Sequence, residues 1–312
     1  MSEISSAATI GAGVIGASWT ALFLAHGIRV AVFDPAPGTE VRVREYIANA
    51  WPVLEQLGLH KGGDPDAVSF HDDPADAVEG AEFIQESVPE RIAIKHETFK
   101  RLEPGLMDNA IVATSASGLT LSEMQAGWSD PSRFVLGHPF NPPHLIPLVE
   151  VMGNERTAEG IVERTEAIYE GFGKTTIRVR KEVPGHVVNR LQAALWREAI
   201  CLVRDGVASV EDIDKGIWAG PGLRWAAMGP NLIWHLAAGP GGLESYCAHF
   251  AESFHRWWDD METPRLDEKT IKTLVDGVTE EAGGRSQEEL AAERDALIVA
   301  MQVATATIRE RD

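Results

Sequence analysis

The stretch Ala7-Ala8-Thr9-Ile10-Gly11-Ala12-Gly13-Val14-Ile15-Gly16 decides the fold of this chain. Its first four residues predict a short buried strand, its glycines have the spacing G-x-G-x-x-G, and the apolar residues from Ala17 to Ala25 predict a helix. This spacing permits a tight turn and lets the backbone approach a pyrophosphate, which the amides and dipole of a helix N-terminus bind. The stretch therefore predicts a dinucleotide site formed by Gly11, Gly13, Val14, Ile15 and Gly16.

The residue that ends the next predicted strand indicates which dinucleotide is bound. Arg29 to Phe33 predicts that strand, and Asp34 follows it, 23 positions after Gly11. A carboxylate at this place accepts hydrogen bonds from the ribose 2′-hydroxyl and repels a 2′-phosphate. The following Pro35-Ala36-Pro37 offers no arginine for such a phosphate. The sequence therefore favours NAD over NADP.

Strand and helix patterns alternate up to about residue 183, and helical patterns follow, at 186–204, 210–218, 244–258 and 290–308. This predicts an α/β fold, with a Rossmann-type doubly wound sheet in residues 1–183 and an all-helical substrate-binding and dimerisation domain in residues 184–312. Strands are expected at 82–88, 110–114, 133–137 and 146–151. An open sheet brings the ends of its strands to one crevice. We therefore expect a site that contains Glu90, Ser115, Ser117 and His138.

A histidine and a glutamate form a candidate proton-transfer pair. His138 stands in Gly137-His138-Pro139-Phe140-Asn141-Pro142-Pro143, and Glu150 stands in the apolar run Leu148-Val149-Glu150-Val151. Oxidation of a secondary alcohol releases a hydroxyl proton, which a neutral imidazole accepts while a buried carboxylate orients the ring. A carboxylate in an apolar strand is costly unless it is paired, which favours this pairing. A histidine beside prolines is equally compatible with a packed or capping residue.

The composition restricts the partners of the protein. The 312 residues carry a formal net charge of −19, which argues against nucleic acids and anionic membranes. The two cysteines, Cys201 and Cys247, are too few for a disulfide framework or a metal cluster. We recognise no signal peptide and no apolar run of membrane-spanning length. We therefore expect a cytoplasmic protein that binds a small molecule and no metal.

Five motifs occur in the order found in the 3-hydroxyacyl-CoA dehydrogenase family, which this chain resembles. Besides the glycine stretch and the two motifs around His138 and Glu150, they are Ser115-Ala116-Ser117-Gly118-Leu119 and Pro184-Gly185-His186-Val187-Val188-Asn189-Arg190-Leu191. The resemblance implies NAD-linked interconversion of a 3-hydroxy and a 3-keto compound by a homodimer. It is carried by the first domain and the first helices after it.

The resemblance also implies roles for individual residues. His138 is the general base, Glu150 is its partner, and Ser117 and Asn189 hold the substrate. Glu90, Lys95 and Ser115 match family positions near the cofactor, although an asparagine is common at the last of these. By residue type alone, Ser117 equally fits a turn or a helix cap, and Asn189 equally fits a backbone contact.

The chain departs from the CoA-dependent pattern in residues 40–74, which are compact where thioester enzymes usually carry a longer, lysine-rich insert. The segment Gly222-Leu223-Arg224-Trp225-Ala226-Ala227-Met228-Gly229-Pro230 resembles the L-carnitine dehydrogenase and L-gulonate 3-dehydrogenase/lambda-crystallin branches instead. We expect a free carnitine-like or gulonate-like 3-hydroxy acid, bound in part by Arg224 and Trp225. The alternatives are a 3-hydroxyacyl-CoA substrate and a non-catalytic, crystallin-like or NAD-sensing protein.

Two features of the helical half have alternative interpretations. The guanidinium of Arg224 suits a substrate carboxylate, and it equally suits an interdomain salt bridge. Trp196, Trp218, Trp225 and Trp234 could form an aromatic cage for a quaternary ammonium, or they could fill a core or a dimer interface.

Overall fold

The computed structural model describes residues 4–59 and 62–309, which divide into two compact units. The first unit extends to Asn189 and includes Ile298–Val303, and the second comprises Arg190–Leu297 with the described residues from Ala304 onward. The first is a sheet with helices and the second is helical, so the predicted fold class is confirmed. The units divide within the helix Val188–Arg204, a few residues after the boundary expected at 183.

One sheet contains all eight strands described in the first unit. These are β1 (Ser6–Ile10), β2 (Arg29–Phe33), β3 (Val68–His71), β4 (Phe83–Glu86), β5 (Ile111–Thr114), β6 (Phe134–Pro139), β7 (Leu148–Met152) and β8 (Thr175–Arg178). Their order is β3-β2-β1-β4-β5-β6-β7-β8. All neighbours are parallel except β6 and β7, which residues 140–147 join without a crossover helix.

Helices cover both faces of this sheet. They are α1 (Val14–Ala25), α2 (Thr39–Gln56), α3 (Pro74–Val78), α4 (Ile92–Leu102), α5 (Leu121–Gln125) and α6 (Ile161–Gly171). On one face α1, α2 and α6 pack around Trp19, Phe23 and Tyr169. On the other face α3, α4 and α5 pack around Phe99 and Phe134. The sheet is therefore packed between two hydrophobic cores, one on each face.

Two local features differ from the sequence-based expectation. The strand β3 and the helix α3 are not among the expected elements, because segments of four and five residues are too short to show a clear periodic pattern, and β3 lies at the edge of the sheet. The strand β6 continues to Pro139, beyond the expected end at 137, because β7 pairs with it as far as Pro139 and Val149. His138 therefore lies within a strand, directly opposite Glu150.

The second unit is helical throughout its described part. Its helices are α7 (Val188–Arg204, which begins in the first unit), α8 (Val210–Ala219), α9 (Pro221–Ala227), α10 (Pro230–Ala237), α11 (Gly242–Asp260), α12 (Glu268–Ala282) and α13 (Gln287–Arg309, of which Ile298–Val303 belong to the first unit). The four expected helices are present, and α9, α10 and α12 were missed. A proline in the first turn, which is favourable there, begins both α9 and α10. No described helix has the length and apolar character needed to cross a membrane.

Candidate active site

The glycine stretch forms the turn between β1 and α1, and its geometry fits a dinucleotide. Gly11 has φ of +89°, and a Cβ there would lie 2.6 Å from the Val88 nitrogen, so a larger residue does not fit. A Cβ on Gly13 would meet no described atom within 4 Å, so the space before α1 is open. No side chain at Gly13 caps the first-turn amides, and Val14 is 59% exposed. An open, uncapped helix N-terminus suits a pyrophosphate.

Asp34 lies beside this turn, at the end of β2. Its Oδ2 accepts a hydrogen bond from the Ala12 amide at 2.7 Å, and its Oδ1 accepts one from the Ala36 amide at 2.8 Å. Each carboxylate oxygen keeps a second lone pair, with which it can accept a hydroxyl proton. The carboxylate is thus fixed where the ribose of a dinucleotide bound at the glycine turn would lie.

His138 and Glu150 are opposite residues of the antiparallel pair β6–β7. The distance from His138 Nδ1 to Glu150 Oε2 is 2.7 Å. Both side chains are buried, and that of Glu150 is completely so. Because an ionised carboxylate only accepts hydrogen bonds, the proton of the neutral ring is on Nδ1. The other nitrogen, Nε2, is therefore the basic one.

The second oxygen of Glu150 is held by the chain that leads into α7. Oε1 accepts hydrogen bonds from the amides of Val187 at 3.0 Å and Val188 at 2.9 Å. Burial raises the pKa of Glu150, but the hydrogen bonds from His138, Val188 and Val187 bring it below its usual value. Glu150 is thus a fixed, ionised partner for His138. Asn189, which is half-buried, directly follows the two amides.

A second histidine packs against the first. The rings of His186 and His138 are 5.3 Å apart between centroids, and His186 is 2% exposed. Its Nε2 donates to the Ala116 carbonyl at 3.1 Å, while its buried Nδ1 has no hydrogen-bond partner among the described residues. Its φ of +50° is in the left-handed region, which is strained for a non-glycine residue. His186 therefore links the turn after β5 to the segment that holds Glu150.

Ser117 and Glu90 contact each other at the ends of β4 and β5. The Ser117 hydroxyl donates to Glu90 Oε2 at 2.7 Å, and Oε1 accepts the amides of Ser117, Gly118 and Leu119. Burial raises the pKa of Glu90, but these hydrogen bonds bring it below its usual value. In this arrangement Ser117 offers its oxygen to a ligand, and donation to a substrate carbonyl requires its hydroxyl to leave Glu90.

A cavity of about 230 Å³ lies between Ile15 of α1 and the residues after β4 and β5, with Lys95, Glu90 and Ser115 in its wall. Lys95 is fully buried, and its Nζ donates to both oxygens of Glu86 at 2.7 and 2.8 Å. Its charge is thus compensated within the wall. A larger cavity of about 490 Å³ opens at the opposite edge of the sheet, near Arg29, and none of the predicted site residues line it.

The substrate residues expected in the helical half belong to the second unit. Arg224 and Trp225 lie on α9 and are exposed, Trp225 by 37%. Trp234 stacks on Tyr246 at 4.8 Å, as part of an aromatic cluster formed by α10 and α11. Among the described residues, no ring contact joins Trp196, Trp218 or Trp225 to another aromatic side chain.

Sequence reasoning missed several polar residues of this region. Glu86 and Gln85 end the apolar strand β4, and both side chains are completely buried. A buried carboxylate requires a partner, so the argument that singled out Glu150 also applies to Glu86. The sequence alone assigns no role to His186, because no local pattern indicates its contact with His138.

Family models match both halves of the chain. Residues 6–183 match the model described as 3-hydroxyacyl-CoA dehydrogenase, NAD binding domain, and residues 185–277 match the C-terminal domain of the same family. Together the two matches span both the sheet and most of the helical unit.

Individual relatives are similar over nearly the whole chain. The L-carnitine dehydrogenase of Streptomyces coelicolor is 47% identical over 298 residues, which cover 96% of this chain and 94% of that protein. An L-carnitine dehydrogenase of a Pseudomonas species is 42% identical over 311 residues, which cover 100% and 97% of the two chains. Among solved structures, an NAD⁺-dependent dismutase, 5-formyl-3-hydroxy-2-methylpyridine 4-carboxylic acid 5-dehydrogenase, is 32% identical with a TM-score of 0.82, and the match covers 97% of this chain and 99% of that one.

Proposed function

The chain belongs to the 3-hydroxyacyl-CoA dehydrogenase family, and from this premise we propose that it is an NAD-dependent dehydrogenase that oxidises L-carnitine at its 3-hydroxyl group. The observation that carries the choice of substrate is the 47% identity to an L-carnitine dehydrogenase over both units of the chain. The product is the corresponding 3-keto acid, and one NADH and one proton are formed for each alcohol oxidised.

In the proposed mechanism His138 removes the proton of the substrate hydroxyl group. Its Nδ1–H donates to Glu150, so Nε2 is the nitrogen that accepts the proton as the C–H hydride leaves. NAD, when bound, supplies the hydride acceptor. The ionised Glu150 then stabilises the imidazolium, and its own low pKa keeps the proton on the ring. In the reverse direction the same imidazolium returns the proton to the carbonyl oxygen.

Ser117 and Asn189 complete the proposed substrate site. The single proton of the substrate hydroxyl goes to His138, so Ser117 orients that group as a donor: its hydroxyl turns from Glu90 to the substrate oxygen. Asn189 follows the amides that bind Glu150, so its backbone is fixed relative to the His138 ring. We propose that Arg224 binds the substrate carboxylate and that Trp225 contributes an apolar surface.

The segment where CoA enzymes carry their insert supports a free acid. The two arginines of α2 have local partners: Arg42 donates to Thr39 and Pro37, and Arg44 pairs with Glu40 at 2.9 Å. Within the described part of α2, no basic side chain is left unpaired for a CoA phosphate. Lys61, the one lysine of residues 40–74, lies outside the described residues.

We also propose a homodimer formed through the helical unit. On α12, Ile271, Val275 and Val278 recur at helical spacing and are 46–57% exposed. On α10, Leu232 and Leu236 are 59% and 61% exposed. Apolar stripes on two helices of one unit are typical of surfaces that another chain covers.

A substrate panel tests the proposed function. NADH formation is measured with L-carnitine, L-gulonate and a 3-hydroxyacyl-CoA, and we expect kcat/KM to be highest for L-carnitine by at least about a hundredfold. His71→Ala, on the edge strand β3, serves as the histidine control for His138→Ala. Faster turnover of either other substrate would overturn the choice of carnitine. NAD binding without turnover of any of them would favour the non-catalytic alternative.

A further inference from the structure

A buried chain of hydrogen bonds runs from α6 through the sheet to the cavity beside α1. The Tyr169 hydroxyl donates to Gln85 Oε1 at 2.6 Å, and Gln85 Nε2 donates to Ser115 Oγ at 2.8 Å and to the Gly137 carbonyl at 3.3 Å. Tyr169 and Gln85 are both completely buried. Burial raises the pKa of the Tyr169 phenol well above its usual value, so the hydroxyl stays protonated and remains a donor.

The chain of hydrogen bonds has a fixed direction. A backbone carbonyl only accepts, so the side-chain atom that faces Gly137 must be the nitrogen of Gln85. The Gln85 oxygen then faces Tyr169, whose hydroxyl supplies the matching proton. It follows that Ser115 Oγ receives a hydrogen bond from Gln85 and does not give one to it.

The two serines at the end of this chain of hydrogen bonds have one hydroxyl proton more than they use between them. Ser115 Oγ and Ser87 Oγ are 2.9 Å apart and share one hydrogen bond. If Ser87 donates to Ser115, the Ser115 proton is left over, and if Ser115 donates to Ser87, the Ser87 proton is left over. Neither hydroxyl has another acceptor among the described residues. Both serines line the cavity of about 230 Å³. In either arrangement one of their hydroxyl groups is therefore available as a donor to a ligand in the cavity.

The position of the cavity indicates which acceptor the unused serine hydroxyl would meet. It lies beyond the ends of β4 and β5, while Asp34 lies at the end of β2, on the other side of β1. A dinucleotide with one ribose at Asp34 and its pyrophosphate at Gly13 extends its other half over β4 and β5. In NAD that half ends in a carboxamide, whose oxygen is a hydrogen-bond acceptor.

We propose that Gln85 is a positioning residue that makes the Ser115–Ser87 pair a hydrogen-bond donor to the carboxamide oxygen of the nicotinamide. Ser115 and Ser87 contact the cofactor, and Gln85 acts through them by occupying a lone pair of Ser115. The proposal rests on NAD binding, which the family assignment establishes, and not on which acid is oxidised. Measurement of cofactor binding therefore separates it from the proposed substrate.

The test compares the dissociation constants of NAD and of its thionicotinamide analogue, in which sulfur, a weak acceptor, replaces the carboxamide oxygen. Calorimetric titration without substrate gives both constants. We expect the wild-type protein to bind NAD about fivefold more tightly than the thio analogue, as the loss of one neutral hydrogen bond implies. In the Ser87→Ala/Ser115→Ala double variant the preference should fall to less than about twofold. Ser69→Ala, which removes a hydroxyl from β3, should retain the wild-type ratio.

Gln85→Glu tests the positioning role while both serines are retained. Burial raises the pKa of a carboxyl at this position, so the titrations of this variant are carried out at several pH values between about 7 and 10. Once ionised, the carboxylate accepts the Ser115 proton, Ser115 then accepts the Ser87 proton, and no donor is left for the cavity. The preference for NAD should again disappear, with NAD still bound. A double serine variant that keeps the wild-type ratio would overturn the proposal, whether or not the Gln85 variant folds. A folded Gln85→Glu protein with the wild-type ratio would refute the role of Gln85.

Discussion

The exchange of Glu150 for glutamine removes the charge beside His138 with almost no change in shape. The amide oxygen stays with the Val187 and Val188 amides, because the opposite orientation leaves two buried N–H groups unpaired at about 1–3 kcal/mol each. The NH₂ group then faces His138 Nδ1, which must accept a hydrogen bond. The ring proton moves to Nε2, so the nitrogen that should accept the substrate proton is blocked.

The size of the effect follows from these contacts. A hydrogen bond to a charged group contributes about 1.5–3 kcal/mol, and Glu150→Gln loses one that strengthens as the imidazolium forms. With the cost of restoring the productive tautomer, we expect a loss of about 4 kcal/mol of transition-state stabilisation. This corresponds to a decrease in kcat of about a thousandfold. NAD affinity should be unchanged, because Glu150 lies on β7 and the glycine turn precedes α1.

The assay is NADH absorbance at saturating L-carnitine, with calorimetric titration of NAD alongside. Glu82→Gln is a matched control, because Glu82 Oε2 also accepts two consecutive amides, those of Ser5 at 2.7 Å and Ser6 at 3.3 Å, and it precedes β4 at the opposite edge of the sheet. We expect its kcat to match wild type. If Glu150→Gln retained kcat within about threefold of wild type, the assignment of Nε2 as the base and Glu150 as its orienting anion would be wrong.

Two glycines and a buried lysine provide further predictions. Gly13→Ala should leave the unfolding temperature unchanged but weaken NAD binding at least about tenfold in a titration, because its Cβ enters only the open space before α1. In Gly16→Ala the added Cβ would lie 1.9 Å from the Gly11 carbonyl oxygen, so this variant should instead lower the free energy of unfolding by about 2 kcal/mol. Equal stabilities of the two alanine variants would contradict the different roles of Gly13 and Gly16. Burial lowers the pKa of Lys174 from 10.5 to about 7 while its Nζ donates to the Pro143 and Ile146 carbonyls. The unfolded chain binds this proton more tightly, so the free energy of unfolding of the wild type should rise relative to that of Lys174→Met, by up to about 1.4 kcal/mol per pH unit between about pH 7 and 10. Denaturant unfolding across that range measures the difference, and a constant difference would contradict the lowered pKa of Lys174.

Local sequence signals predicted the cofactor half of the site. The glycine spacing and Asp34 are close in the chain and require only one strand, one turn and one helix. His138 and Glu150 are separated by a short connection, and the apolar run around Glu150 indicated its need for a partner. Their direct opposition depends on the antiparallel register of β6 and β7, which the sequence pattern did not specify.

Contacts between distant parts of the chain could not be predicted in the same way. Gln85 meets Tyr169 across 84 positions, and His186 meets the Ala116 carbonyl across 70. Glutamine and tyrosine in buried elements are compatible with many packing arrangements, so composition and periodicity do not select this one. The contact between Ser117 and Glu90 also depends on the parallel pairing of β4 with β5, which brings the residues after both strands together.

The most direct test of the account is the rate of NADH formation in a single turnover, with L-carnitine mixed into NAD-loaded wild-type protein and into His138→Gln. We predict rapid NADH formation by the wild type and a decrease of about a thousandfold in the variant, since a positioned general base contributes about 10²–10⁴ in rate. NAD affinity should be the same in both proteins. Equal single-turnover rates would contradict the claim that His138 accepts the proton of the substrate.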